Sequence, residues 1–244
     1  MNLPSKLTPD MIQEALFEAR FEHSELIELV IGKLATEFQK PGWSAVRLPV
    51  GEIPDVIREG DAALRILPTI ELRSEDGAEI IRIGPHVVSH HIVGGYVGWD
   101  NFQPRLLATV AAMQACVPSI SPVRLGLRYL NAPTPKHGIA SIWDLNLGIE
   151  AAGSTPASDV QLVYRVIEGA DLEGLVRVVT SSFIEEASVS DAVAVIDIDM
   201  FTPDSTASVS MNSVGKWLEK AHDAEKRIFF GLLKDQTVAV LREN

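Results

Sequence analysis

The sequence predicts an α+β fold, in which mainly antiparallel sheets carry amphipathic helices packed on one face. Several short segments alternate apolar and polar residues, which is typical of half-buried strands. Two longer segments, one near the middle of the chain and one near its end, instead repeat apolar residues at helical spacing. Each of these follows a strand-rich stretch. The order suggests two similar halves, residues 1–120 and 121–244, which are also compatible with one continuous domain.

The first half begins with a predicted strand and helix. Residues 13–21 alternate between apolar and charged side chains, which predicts a strand with one solvated face. Residues 26–38 carry apolar side chains at helical spacing, with Ser24 as the expected N-cap and Pro41 just beyond the end. Further strands are expected at 45–48, 62–72, 79–83 and 86–93, separated by Gly and Pro residues.

A helix closes each predicted half. In the first half, Asp100 is the expected N-cap, with Gln103 at the capping-box position. The second half is expected to run through strands at 123–131, 160–167, 175–183 and 192–201, with a short helical turn at 141–145. The closing helix is indicated by the apolar stripe Val214, Trp217, Leu218, Ala221, Ile228 and Leu232.

Composition and charge restrict the class of protein. The chain has 244 residues and a formal charge of −12, and 46% of its residues are hydrophobic, so a packed core is expected. The acidic balance disfavours nucleic acid and anionic membranes as partners. A single cysteine, Cys116, cannot form an intramolecular disulfide, and the N-terminal residues lack an apolar signal segment. These features predict a cytoplasmic protein without a membrane span.

Several local patterns resemble a sporadically distributed prokaryotic family of uncharacterised proteins. The main pieces are residues 14–21 (EALFEARF), 98–102 (GWDNF) and 124–131 (RLGLRYLN). Weaker pieces are residues 197–201 (DIDMF) and the late helix that carries His222 with Phe229 or Phe230. The resemblance spans most of the chain and implies a shared α+β architecture, but it implies no reaction.

Charged residues form the most prominent constellation on the predicted strands. Because residues two apart on a strand point the same way, each strand should gather its charges on one face. The residues concerned are Glu14, Glu18, Arg20 and Glu22 on the first strand, Arg124 and Arg128 on another, and Asp197 and Asp199 on a third. Two interpretations stay open. Asp197 and Asp199 could hold Mg²⁺ or Mn²⁺ while Arg124, Arg128, Arg165 and Arg177 bind phosphate, or the charges could form cross-strand ion pairs on a solvated sheet.

Other polar residues are weaker candidates. His86, His90 and His91 lie on a predicted strand, where spacing and alternation disfavour joint metal coordination. His222 lies at the edge of the closing helix's apolar stripe, where a structural role is favoured over a catalytic one. Tyr129 and Asn131 end the Arg-bearing strand, a position from which side chains often reach a cleft.

Two functional hypotheses follow. The first is a non-enzymatic binding or interaction protein that needs no cofactor, with ligand contacts from Glu18, Arg20, Arg124, Arg128, Tyr129 and Asn131. Its partner would be an unknown protein engaging the sheet surface or residues 131–138. A homodimer paired through free sheet edges is a third possibility, compatible with this hypothesis and with the alternative. The alternative is a metal-dependent enzyme acting on a phosphorylated or nucleotide substrate, with Asp197, Asp199 and Glu18 as metal ligands.

Overall fold

One antiparallel sheet of nine strands organises the protein. The structure, a computed structural model, describes residues 3–4, 7–150, 153–154, 159–180, 191–203 and 211–242. The strands are β1 (Ile12–Glu22), β2 (Ser44–Arg47), β3 (Ile70–Arg73), β4 (Glu79–Ile83), β5 (Val87–Val93), β6 (Ser121–Asn131), β7 (Gln161–Gly169), β8 (Leu172–Thr180) and β9 (Ala194–Phe201). The helices are α1 (Ile27–Phe38), α2 (Asp55–Gly60), α3 (Ala62–Arg65), α4 (Trp99–Cys116), α5 (Val214–Leu232) and α6 (Asp235–Leu241). The α+β prediction is therefore confirmed.

The strand order is β2-β3-β4-β5-β1-β6-β9-β8-β7, and every pairing is antiparallel. In the first half of the chain the first strand, β1, pairs with the last, β5. In the second half β6 pairs with β9 in the same way. The two first strands pair with each other at the centre. Both halves therefore pair their first strand with their last, but among the described residues the first half has five strands and the second has four, and all nine form one continuous sheet.

The long helices α1, α4 and α5 form a layer over one face of this sheet. Helix α1 packs on β3 and β4, helix α5 packs on β6 and β9, and α4 contacts both helices. The alternating residues of β1 supply the centre of the core, since Ala15, Phe17, Ala19 and Phe21 are all buried. The opposite face is called the helix-free face here because none of the long helices α1, α4 and α5 packs on it, and it carries the intervening charged side chains. This arrangement agrees with the predicted packing of helices on one face.

Three local expectations were wrong. Residues 62–72 are not one strand, because the Asp61 carboxylate accepts hydrogen bonds from the backbone of Ala63 and Leu64 and begins the short helix α3. Helix α1 starts after Leu26, with no side-chain cap from Ser24. Helix α4 starts after Gly98, so that Asp100 lies inside the first turn.

The remaining boundaries are close to those predicted. The short turn appears as a 3-10 helix at Ile142–Asp144, and the sequence did not anticipate α2 or α6. The end of the expected strand 175–183 lies outside the described residues. In the described part of the chain, no helix is both long and apolar enough to cross a membrane.

Candidate ligand-binding site

A small cavity lies beneath α5 on the helix-covered face of the sheet. Its volume is about 60 Å³, several times the roughly 10–15 Å³ that one water molecule needs. The wall combines residues of β1, β6 and α5, of the turn before α4 and of the segment before β1. The lining residues are Leu7, Asp10, Ile12, Tyr96, Gly98, Tyr129, Asn131, His222, Glu225, Lys226, Phe229 and Phe230.

Local sequence patterns place the polar groups in this wall. Tyr129 and Asn131 are two residues apart on β6, so both point to the helix-covered face, and each is only 1% exposed. His222 and Glu225 are three residues apart on α5 and therefore share one side of that helix. Gly98 has a φ of 83°, a left-handed conformation that favours glycine, and it ends the turn that carries Tyr96.

A hydrogen-bonded chain links three of these side chains. The Tyr96 and Tyr129 hydroxyl oxygens are 3.1 Å apart. The Tyr129 hydroxyl is 3.4 Å from Nδ1 of His222, and the His222 ring stacks on Trp99 with centroids 4.1 Å apart. Glu219 in turn accepts a hydrogen bond of 3.3 Å from the Trp99 indole. The imidazole is therefore held in one orientation by partners on two other elements.

Glu225 is the most unusual group in the cavity. Its residue is 6% exposed, and within the described chain its carboxyl forms no ion pair or hydrogen bond. Burial raises the pKa of Glu225 to about 8, and the nearby Lys226 ammonium opposes this rise. Because the carboxyl is buried without a partner, it stays mainly protonated at neutral pH.

Three of the neighbouring ionisable groups, His222, Tyr96 and Tyr129, are also kept neutral. Burial, assisted by Lys226, lowers the pKa of His222 to about 4. Burial raises the pKa of Tyr96 and of Tyr129 above the ordinary value of a tyrosine. At pH 7 the cavity therefore presents a carboxylic acid, a neutral imidazole and two phenols. Such groups can donate and accept hydrogen bonds to a ligand, and the carboxyl can gain charge when a ligand supplies a counter-ion.

The sequence-predicted site residues divide between the two faces of the sheet. Tyr129 and Asn131 line the cavity. Asn131 also donates a hydrogen bond of 3.4 Å to the Ile196 carbonyl, so it serves the sheet as well. The charged candidates Glu18, Arg20, Arg124, Arg128, Asp197 and Asp199 share the opposite, helix-free face, as the strand registers show. The structure therefore brings together the Asp and Arg strands, but it separates them from the tyrosine and the asparagine.

On the helix-free face the predicted metal ligands contact arginines. Arg128 donates hydrogen bonds of 2.7 and 2.8 Å to the two carboxylate oxygens of Asp197. Arg124 bridges Asp199 and Glu18 at 3.1 Å each. Burial opposes the charge of Arg128, but its hydrogen bonds to Asp197 raise its pKa. These contacts favour the ion-pair interpretation.

The described residues contain no group of three or more His, Cys, Asp or Glu side chains arranged to hold a metal ion. The adjacent histidines face opposite sides, as predicted. His90 contacts Thr109 and Glu79, whereas His91 contacts Glu14 on the helix-free face. His86 contacts the Phe21 carbonyl and Glu59. Each of the three histidines therefore has separate partners.

The connection after β6 is less available to a partner than the sequence suggested. Residues 131–134 are buried, and so is His137 in the 3-10 helix Pro135–His137. The His137 ring accepts a hydrogen bond of 2.9 Å from the Thr134 backbone. Within 131–138 only Pro135, Lys136 and Gly138 are exposed, which leaves little surface for docking.

Sequence reasoning missed Glu225 and Tyr96. A signal for Glu225 was present, because it lies seven residues from both Leu218 and Leu232, where the α5 stripe calls for an apolar side chain. Tyr96 lies between Gly95 and Val97 in a segment that indicated only a turn, and nothing in that pattern shows which way its side chain points.

Three of the segments that carry the family resemblance meet at this cavity. They are the 98–102 segment, the end of the 124–131 strand and the late helix with His222, Phe229 and Phe230. The resemblance itself stays a prediction. Neither a comparison with protein-family models nor one with curated proteins finds a match to this chain.

Proposed function

We propose that the protein is a binding protein for a small organic ligand, and that the ligand places its polar end in the cavity beneath α5. The observation that carries this proposal is the unpaired, buried Glu225 carboxyl in a cavity that also presents Tyr96, Tyr129 and His222. Burying a polar group without a partner costs about 1–3 kcal/mol, and a ligand that hydrogen-bonds to the group recovers that cost.

The remainder of the wall suits the apolar part of such a ligand. Phe229, Phe230, Ile12 and Leu7 border the same space. A largely apolar wall with a few convergent polar groups is the usual composition of a small-molecule site. This proposal keeps the binding role of the first hypothesis and two of its candidate residues, Tyr129 and Asn131, but it replaces the protein partner with a small molecule.

The Trp99 indole offers a direct readout, because its ring stacks on His222 at the cavity. The experiment is a screen of small neutral, acidic and basic compounds, in which the NMR signal of the Trp99 indole N–H reports binding. We expect hits to shift this signal and to raise the melting temperature, since ligand at 100 times its Kd adds about 2.7 kcal/mol of stability.

A pair of variants tests the location. Phe230→Trp enlarges a wall residue and should abolish binding of the hits. Val163→Phe enlarges an exposed side chain on edge strand β7, on the helix-free face, and should leave binding unchanged. Hits that bind Phe230→Trp as well as the parent protein would show that the ligand binds elsewhere, and a screen without hits would contradict the proposed function.

A further inference from the structure

We infer that the cavity selects an organic cation, an ammonium compound with a small apolar substituent, whose charge pairs with the carboxylate of Glu225. This inference rests on the proposed function and specifies the class of ligand. It depends on three features of the described residues: the unpaired buried carboxyl, the aromatic wall and the charges around the cavity.

The first feature is the state of the carboxyl. On the helix-free face, Asp197, Asp199 and Glu18 each receive a hydrogen bond from an arginine. Glu225 is buried as deeply as Asp197, yet within the described chain it has no such partner. A buried carboxylate is strongly stabilised by an opposite charge at hydrogen-bond distance, so a ligand that brings a cation gains more from this site than a neutral one.

The second feature is the wall of aromatic rings. Tyr96, Tyr129, Phe229 and Phe230 all line the cavity, and the Tyr96 and Tyr129 rings meet edge to face with centroids 5.6 Å apart. Ring faces attract ammonium groups, and this attraction is stronger where water is excluded. A carboxyl set among four aromatic side chains therefore favours an organic cation over an anion.

The third feature is the balance of charge near Glu225. Asp10 also lines the cavity, and it is hydrogen-bonded to the Ile12 backbone. The single cationic side chain of the described lining is Lys226, which lowers the pKa of Glu225 without forming an ion pair with it. The ionisable groups that face this region are Asp10 before β1, Tyr96 and Asp100 around the start of α4, Tyr129 on β6, and His222, Asp223 and Lys226 on α5 itself. Among these described groups, with His222 neutral at pH 7, carboxyl groups outnumber cations.

Cation binding should therefore release a proton. The pKa of Glu225 is about 8 in the free protein, so at pH 7 about 0.9 of the molecules carry a proton on this group and lose it when an ammonium ion binds. The apparent affinity should rise about ninefold from pH 6 to pH 7 and about fivefold from pH 7 to pH 8, and then level off.

The experiment is calorimetric titration of the full chain with two cations and their uncharged counterparts. The cations are ethylammonium and propylammonium, both small enough for a cavity of about 60 Å³ and both able to donate hydrogen bonds to a carboxylate. The counterparts are ethanol and propanol. We expect each cation to bind at least tenfold more tightly than its counterpart at pH 8. Titration at pH 7 in two buffers of different ionisation enthalpy should give about 0.9 protons released.

Two variants complete the test. Glu225→Gln should remove both the preference for cations and the proton release. Glu28→Gln makes the same chemical change at an exposed position on α1, outside the cavity lining, and should preserve both. Equal binding of the uncharged counterparts, or an affinity that does not depend on pH, would overturn the inference while leaving the proposed function in place. Binding by neutral or acidic compounds alone would do the same, whereas the absence of binding by any compound would refute both.

Discussion

The Glu225→Gln substitution should make the protein more stable at alkaline pH. Glutamine has nearly the shape of a protonated glutamic acid, and it cannot ionise. The folded-state pKa of Glu225 is about 8 against an ordinary 4.5, so the folded protein retains a proton that the unfolded chain has lost. The stability that this proton provides is fully present below pH 4.5 and is lost as the pH rises through 8.

Each pH unit in this window is worth about 1.36 kcal/mol. Allowing for the rounded ends of the two titrations, the free energy of unfolding of the parent protein should fall by roughly 3 to 4 kcal/mol relative to Glu225→Gln between pH 5 and pH 8. His222 acts in the opposite direction, since its pKa is lowered to about 4 and its contribution is lost as the pH falls. It is present in both proteins, and the difference between them therefore isolates Glu225.

Urea unfolding followed by circular dichroism at half-unit pH steps measures this difference, provided that the urea dependence is the same for both proteins. Asp223→Asn serves as the control for the loss of one charge from α5, and its difference from the parent should stay within about 0.5 kcal/mol across the range. Parallel curves for the parent and Glu225→Gln would refute the reasoning, because they would show that the carboxyl titrates alike in the folded and unfolded states.

Four further predictions concern two glycines, the contact between Arg128 and Asp197, and the metal interpretation. Gly174→Ala should destabilise the protein by about 1–3 kcal/mol in urea unfolding, since an added Cβ would lie 2.6 Å from Sδ of Met200. Gly32→Ala should instead stabilise the protein by about 0.5–1 kcal/mol, because alanine favours helix α1 and the added Cβ would have no atom within 4 Å. Arg128→Met should lower the free energy of unfolding by about 1–2 kcal/mol, because it leaves the buried Asp197 carboxylate without its bidentate arginine partner. The loss is limited because the arginine side chain is 35% exposed and solvent screens the pair. Millimolar Mg²⁺ should leave the melting temperature of the parent protein unchanged, and a clear increase that Asp197→Asn abolishes would restore the metal interpretation.

Alternation along single strands allowed the sequence to predict which residues share a face. The patterns at 13–21 and 123–131 placed Phe17 in the core and Arg124 with Arg128 on one side, and the registers of β1 and β6 agree. This succeeded because the two-residue period of a strand is a local property. The same parity separates Tyr129 from Arg128, so the division of the candidate residues between two faces was also contained in the sequence.

Strand order could not be obtained in this way. That β1 lies between β5 and β6, and that β9 pairs with β6, depends on contacts between residues that are far apart in the chain. Whether Asp197 meets Arg128 or lies apart from it was therefore open until the sheet was known. Local patterns also gave a wrong prediction where a polar side chain bonds to the backbone. Asp61 caps helix α3 in this way, at the start of the run 62–72 that the pattern predicted to be a strand.

Glu225 shows why the cavity was harder to predict than the fold. In the sequence it interrupts the apolar stripe of α5, and helical spacing alone does not distinguish a solvated edge residue from an acid buried beneath the helix. The structure resolves this, because Ala221 and Phe229, one turn to either side, are buried with it. On the helix-free face, by contrast, Asp197, Asp199 and Glu18 each accept a hydrogen bond from an arginine. A buried acid that stays unpaired within the described residues therefore lowers stability at neutral pH. Such destabilising groups are expected at functional sites, where contacts with a bound ligand offset the lost stability.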